Sequence, residues 1–178
     1  PDGWIALMET REDVNAILSL DHDIDLLVPR GSNEFVRYIM DHTNIPVMGH
    51  ADGICHVYVD AAADLNKAVR VAVDAKTQYV SVCNAAETLL IHESIAADFL
   101  KQAAPALKEK GVTLRGDRRT CELVAAAEPA TDEDWGTEYL DYILAVKIVD
   151  SLDAAVQHIE TYGSHHTDSI CTRDPDAA

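Results

Sequence analysis

The sequence predicts an α/β fold, a mainly parallel sheet with flanking helices, on three observations. Short apolar runs alternate with amphipathic stretches of roughly 10 to 17 residues, the rhythm of right-handed β-α-β units. Capping residues, glycines and prolines stand at most boundaries between them. The composition is globular, with 178 residues of which 48% are hydrophobic and 25% charged, and there is no repeat or low-complexity tract.

The elements follow in order. Trp4 to Leu7 reads as strand-like after a Pro1-Asp2-Gly3 turn. Thr10 and Asp13 resemble a capping box, opening a helix with Val14, Ile17 and Leu18 on one face. Ile24 to Val28 is a buried-strand run stopped by Pro29. Ser32 is placed to cap a helix through Phe35, Val36, Ile39 and Met40. Ile45–Met48 and Ile54–Val59 read as strands around a Gly49-to-Gly53 turn. Leu65, Ala68, Val69, Ala72 and Val73 repeat at helical spacing, and that helix is expected to end near Tyr79.

Thr88–Ile91 is the next strand. Ser94 is expected to cap a helix ended by Gly111, which Pro105 should kink or break early. Val112–Leu114 is a short strand. Residues 117–141, with eight acids and two bases, read as a helix and then an exposed acidic connection. Tyr142–Val149 is a buried strand, Ser151–Tyr162 a helix stopped by Gly163, and Ser169–Thr172 a last strand. The chain has no initiating Met and both ends look cut, so it reads as an internal segment of a larger protein.

Charge and cysteine usage narrow the function. With 14 Lys+Arg against 31 Asp+Glu the formal charge is −17, which repels phosphate backbones and argues against nucleic acid. No stretch has the roughly 18 apolar residues of a membrane span, and no signal peptide opens the chain. Cys55, Cys83, Cys121 and Cys171 lie far apart and read as reduced thiols of a cytoplasmic protein.

Of the four, Cys83 lies between a predicted helix and strand, where a thiol can meet a substrate beside backbone N–H donors. A buried thiol used as a small hydrophobe is the competing reading. Cys55 and His56 point to opposite faces of one strand and cannot chelate together, even with His50 nearby, so no metal site is expected. Cys121 and Cys171 read as core filling, His158 as a helix-surface residue and His165-His166 as a solvated turn. Arg30-Gly31-Ser32 ahead of a helix can hold a phosphate on backbone N–H groups.

Several longer words resemble one family. They are Val28-Pro29-Arg30-Gly31-Ser32, the run Ile45 to His56, Asp74 to Tyr79, Cys83-Asn84 with Glu87-Thr88-Leu89-Leu90, Trp135 to Tyr139, and His158 to Ile170. Together, in order and spacing, the chain resembles the glutamate-5-semialdehyde dehydrogenases, or γ-glutamyl phosphate reductases, of the aldehyde dehydrogenase superfamily.

The resemblance implies an aldehyde-dehydrogenase-like fold. Residues 1–48 would be the C-terminal part of a Rossmann-like cofactor domain and residues 49–178 most of the catalytic thiol domain. It implies an NADP-dependent enzyme of proline biosynthesis that reduces γ-glutamyl phosphate to glutamate 5-semialdehyde and phosphate through a thioester on Cys83. NADPH/NADP is the implied cofactor, with Gly31 and Ser32 beneath its pyrophosphate and Glu138 at its nicotinamide ribose. Asn84 is the implied substrate neighbour; because substrate and cofactor are anionic and the chain carries −17, a local cation such as Arg30 or Lys76 is expected near bound phosphate. The full-length protein would be a homo-oligomer acting on a small molecule, without nucleic acid or membrane, and the segment alone is expected to be inactive. The alternatives are a non-catalytic assembly or binding module, a related acyl-thioester aldehyde dehydrogenase, and the reductase part of a bifunctional kinase-reductase.

Overall fold

A computed structural model describes residues 3, 5, 7–49 and 52–178, and the chain divides into two compact units, residues 1–51 and 52–178.

The first unit holds two short helices, α1 (Arg11–Ile17) and α2 (Asn33–Asp41). Thr10 and Asp13 form the expected reciprocal cap of α1, with Oγ1 accepting from Asp13 N at 3.1 Å and the Asp13 carboxylate from Thr10 N at 3.0 Å. Ser32 caps α2 by accepting from Phe35 N. Leu18, Val36, Ile39 and Ile45 are the buried residues of this unit.

The run Ile24–Val28 is not a buried strand. Only Leu27 pairs, in a single parallel bridge with Val47, and Leu26 and Val28 are 46% and 54% exposed. One bridging neighbour covers neither side of an apolar run, so its alternate side chains face out. In the strand-like run 4–7, Trp4 and Ala6 lie outside the described residues, as do His50 and Ala51 of the expected turn. Ile5 and Leu7 belong to no strand.

The second unit is a six-stranded parallel sheet in the order β4-β3-β5-β2-β1-β6. Its strands are β1 (Cys55–Val59), β2 (Ala86–His92), β3 (Thr113–Gly116), β4 (Glu128–Pro129), β5 (Ile143–Val149) and β6 (Asp168–Cys171). The connecting helices are α3 (Leu65–Thr77), α4 (Glu93–Glu109), α5 (Arg118–Leu123) and α6 (Leu152–Tyr162). β1 and the first six residues of β2 are buried on both sides, as central parallel strands covered by helices must be.

Three expectations are corrected here. α4 is capped by the His92 ring, which accepts from Ser94 N, and not by Ser94. Pro105 lies inside α4 without ending it. The residue is exposed, so the carbonyl it leaves without a donor faces water, while Ala103, Ala104 and Leu107 hold the inner side to the sheet. The 117–141 stretch contains α5, the edge strand β4 and a 3-10 turn (Asp132–Gly136) in which Asp134 and Trp135 are buried rather than exposed. Asp134 accepts from Arg115 Nη1, Tyr139 OH and Thr131 N, each at 2.7 Å. Burial alone would raise its carboxyl, but hydrogen bonds from Thr131, Arg115 and Tyr139 hold it well below the usual carboxylate range.

Candidate active site

Four segments meet at the amino edge of the sheet, each leading into a strand: Gly53-Ile54 into β1, the turn 78–85 into β2, residues 137–142 into β5 and residues 163–167 into β6. Open parallel sheets more often present their sites at the carboxyl edge. The only two non-glycine residues with positive φ among the described residues, Leu140 (+53°) and His165 (+56°), lie in two of these segments.

The turn 78–85 is short because α3 ends at Thr77 and β2 begins at Ala86. Val82 N reaches Tyr79 O at 3.4 Å and Ala85 N reaches Val82 O at 3.0 Å, two successive turns that leave Cys83 exposed. The other cysteines are buried or half-buried. The backbone of Cys83 is fixed from β1: the Cys55 thiol donates to the Cys83 carbonyl at 3.2 Å. Burial pushes the Cys55 thiol up to about 11, so it stays protonated and able to donate.

Gly53 makes the approach possible. A Cβ there would lie 2.0 Å from the Cys83 carbonyl oxygen and 2.8 Å from Glu138 Oε1, so only glycine fits. Gly53 N also donates to Glu138 Oε1 at 2.9 Å. The structure thus brings the Cys83 carbonyl and the Glu138 carboxylate, 55 positions apart in the chain, against the same face of one glycine.

The segment before β6 completes the frame. Ser164 Oγ accepts from Ile54 N at 2.9 Å, and His166 Nδ1 lies 3.9 Å from Cys55 Sγ. Asp168 accepts from His56 N and His56 Nδ1 at 3.0 and 2.9 Å. His165 and His166 are exposed, as expected of a solvated turn, but the contacts of Ser164 with Ile54 and of His166 with Cys55 were not anticipated. β1 and β6 pair in parallel, His56 opposite Asp168, which brings their entering segments together. His158 is buried, not on the surface, packed among the rings of His56, Trp135 and Tyr162. Its spacing from Ala155, Ile159 and Tyr162 on one helical face was the available signal.

Asn84 is exposed and lines a groove of about 230 Å³ with Cys55, His56, Tyr79, Val82 and Thr167; Cys83 does not line it. Lys76 is not a free cation. Its Nζ is 2.6 Å from Glu87 Oε2 and both side chains are inaccessible, at 0% and 1%. Burial pushes the Lys76 ammonium down and the Glu87 carboxyl up, each opposed by the pairing.

In the first unit, Gly31 has φ +151°, and Ser32 opens the nine-residue helix α2. They line a groove of about 550 Å³ with Arg11, Asn15, Phe35 and Tyr38. The start of a helix, a glycine and the Arg11 guanidinium are the groups there that suit a pyrophosphate, beside the Glu34 carboxylate and with Phe35 N already given to Ser32 Oγ. Arg30 is exposed. Among the described residues no group of three or more His, Cys, Asp or Glu side chains is arranged to hold a metal ion, and no helix is long and apolar enough to cross a membrane.

Comparison with known proteins shows the family. A γ-glutamyl phosphate reductase of Pelotomaculum thermopropionicum is 61% identical over 178 residues, covering all of this chain and 41% of its own length. The crystal structure of γ-glutamyl phosphate reductase from Thermotoga maritima is 42% identical, with TM-score 0.91 over 94% of this chain and 41% of that one. An NADP-dependent glyceraldehyde-3-phosphate dehydrogenase from Bacillus halodurans, solved with NADP, shares the fold at 17% identity and TM-score 0.72, over 89% of this chain and 42% of its own. The chain spans about two fifths of the length of the curated relatives it matches. The family model for aldehyde dehydrogenases matches residues 1–130, most of the sequence, and this chain belongs to the aldehyde dehydrogenase family.

Proposed function

We propose that this chain supplies the nucleophile and part of the cofactor site of an NADP-dependent glutamate-5-semialdehyde dehydrogenase, which reduces γ-glutamyl phosphate to glutamate 5-semialdehyde and orthophosphate on the way to proline. The observation that carries it is the exposed Cys83, held by its backbone in a turn that also faces the Glu138 carboxylate through Gly53. The identity to named γ-glutamyl phosphate reductases over the whole chain supports the substrate.

In this reading the Cys83 thiolate attacks the acyl carbon. A C–S bond forms, the C–O bond to phosphate breaks, and orthophosphate leaves with its electron pair. NADPH, when bound, would supply the hydride that reduces this thioester. Cys83 would then hold the thiohemiacetal alkoxide, whose collapse breaks the C–S bond, frees the aldehyde and restores the thiolate. Backbone N–H groups at Gly31, Ser32 and the start of α2 would hold the cofactor pyrophosphate, and Glu138 its nicotinamide ribose. Asn84 would contact the substrate. Residues 1–48 belong, on this reading, to the C-terminal part of the cofactor domain and residues 49–178 to most of the catalytic domain. It further makes the protein a cytoplasmic homo-oligomer that acts on a small molecule, with no part for nucleic acid or membrane.

The test grafts this chain in place of the matching segment of the Pelotomaculum thermopropionicum relative. Cys83→Ser is expected to abolish reduction, below a thousandth of the parent rate, with the fold intact by circular dichroism. Iodoacetamide should label Cys83 before Cys55, whose thiol ionises only near 11. Unchanged turnover in Cys83→Ser would refute the assignment.

A further inference from the structure

Resting on those roles for Cys83 and Glu138, we propose that Lys76 and Glu87 form a positioning pair, whose buried ion pair locks the base of the Cys83 turn to the segment carrying Glu138. Nucleophile and cofactor carboxylate thereby keep one spacing.

The pair brackets the turn. Lys76 lies in the last turn of α3 and Glu87 is the second residue of β2, seven positions before and four after Cys83. Their 2.6 Å bond closes the loop between helix and strand at its base, out of reach of water. The same carboxylate serves the facing segment. Its Oε2 takes Lys76, while its Oε1 accepts from Leu140 N at 3.3 Å, and the backbone of Tyr139 also donates to Glu87. Lys76 Nζ lies 5.8 Å from the Tyr139 ring centroid.

Glu138 is consequently held from two directions. Gly53 N fixes its carboxylate, and Glu87 fixes the backbone that follows it. Leu140 adopts φ +53°, which a leucine avoids unless its surroundings impose it, and its N–H is the one Glu87 receives. Stability does not call for such a pair: apolar residues of similar volume in place of a buried ion pair are often neutral or stabilising. The neighbouring face, with Ala72, Leu89 and Ile91 buried, would accept them. What apolar side chains cannot supply is an acceptor for Leu140 N.

The test uses the same grafted enzyme. Lys76→Met/Glu87→Leu is expected to keep the thermal midpoint, to raise the KM for NADPH roughly tenfold, and to leave Cys83 alkylation within about twofold of the parent. Deuterium uptake in a peptide spanning 137–142 should quicken roughly tenfold, since Leu140 N loses its acceptor. Lys76→Met/Glu87→Gln retains an amide oxygen for Leu140 N but loses the bond to Lys76, so uptake at 137–142 should return to within about threefold of the parent while the KM for NADPH stays raised by about threefold or more. If the apolar pair fails to fold, the Gln variant decides alone: parent-like uptake with a raised KM supports the pair, and a parent-like KM or fast uptake overturns it. Unchanged uptake in a folded apolar-pair variant also overturns the pair, whatever Glu138 does. A Glu138→Gln enzyme with unaltered KM for NADPH would instead remove the cofactor role of Glu138, and uptake at 137–142 would then judge the pair by itself.

Discussion

Under α3 and α4 the sheet buries Val57, Val59, Leu89, Ile91, Leu144, Val146 and Ile148 against Phe99, Leu100 and Leu107, a continuous apolar core. Under α6 the opposite face buries a smaller cluster, Tyr58, Leu90, Val149 and Ala155, and interleaves it with His56, Thr88 and His158. Lys147 also lies there, its Nζ 3.1 Å from His158 Nδ1 and 5.2 Å from the Trp135 ring centroid. Three buried polar atoms, His56 Nε2, Thr88 Oγ1 and His158 Nε2, have no hydrogen-bond partner among the described residues. Apart from the Lys76–Glu87 pair at its amino end, the first face is where burial stabilises; the second gives up part of that gain to hold polar side chains in place.

If the contrast is real, acid should weaken the second face selectively, and this is the largest expected effect. Burial, then Lys147, then His56 push His158 down to about 3, and burial lowers His56 although Asp168 resists. Both histidines ionise near 6.5 in the unfolded chain. Their neutral folded forms are therefore not penalised above pH 6.5, and stability is lost as pH falls from there toward 3. For His158 the full loss is on the order of 5 kcal/mol. Urea midpoints measured from pH 7 to pH 4 should fall steeply, and His158→Phe should flatten the slope. An unaltered slope in that variant would place the acid sensitivity elsewhere.

Next in size, Phe99→Ala on the first face should cost about 3–5 kcal/mol at every pH, because Phe99 is wholly buried and its removal leaves a cavity. A smaller loss, read by the same urea titration, would mean that the core under α4 collapses to fill the gap. Smallest of all, Thr88→Val should leave stability within about 0.5 kcal/mol of the parent or raise it, since the hydroxyl it removes has no partner among the described residues. A cost above about 2 kcal/mol would show that this hydroxyl is satisfied after all.

Legibility in the sequence followed the same division. Helices with local caps, Thr10 with Asp13 and Ser32 before α2, were readable because the capping partners lie within three residues of each other. Strands β1, β2 and β5 were readable from their apolar runs, since both sides of a central parallel strand are covered. Pro105 misled because its cost depends on which side of α4 faces water, a property of packing and not of the residue. Ile24–Val28 misled because an apolar run becomes a strand only where a neighbour pairs along its length, and among the described residues this run has one bridge, Leu27 with Val47.

Cys83 could be singled out from its place between helix and strand, and Gly31, Ser32 and Glu138 from family words. The partners that hold Cys83 could not. Cys55 and Gly53 reach the Cys83 backbone from the entry to β1, Ser164 and His166 reach Ile54 and Cys55 in turn, and Lys76, expected as a cation for phosphate, proves to be half of a buried pair.

Local chemistry along the chain therefore determined the alternation of helices and strands, their caps, the net charge and the candidacy of one thiol, because each depends on residues a few positions apart. Only the tertiary structure decided the strand order β4-β3-β5-β2-β1-β6, the placing of the candidate site at the amino edge of the sheet, and the meeting of Cys83 with Glu138 over Gly53. Those depend on which strands lie side by side, a choice made by the burial of whole faces and not by any short word of sequence.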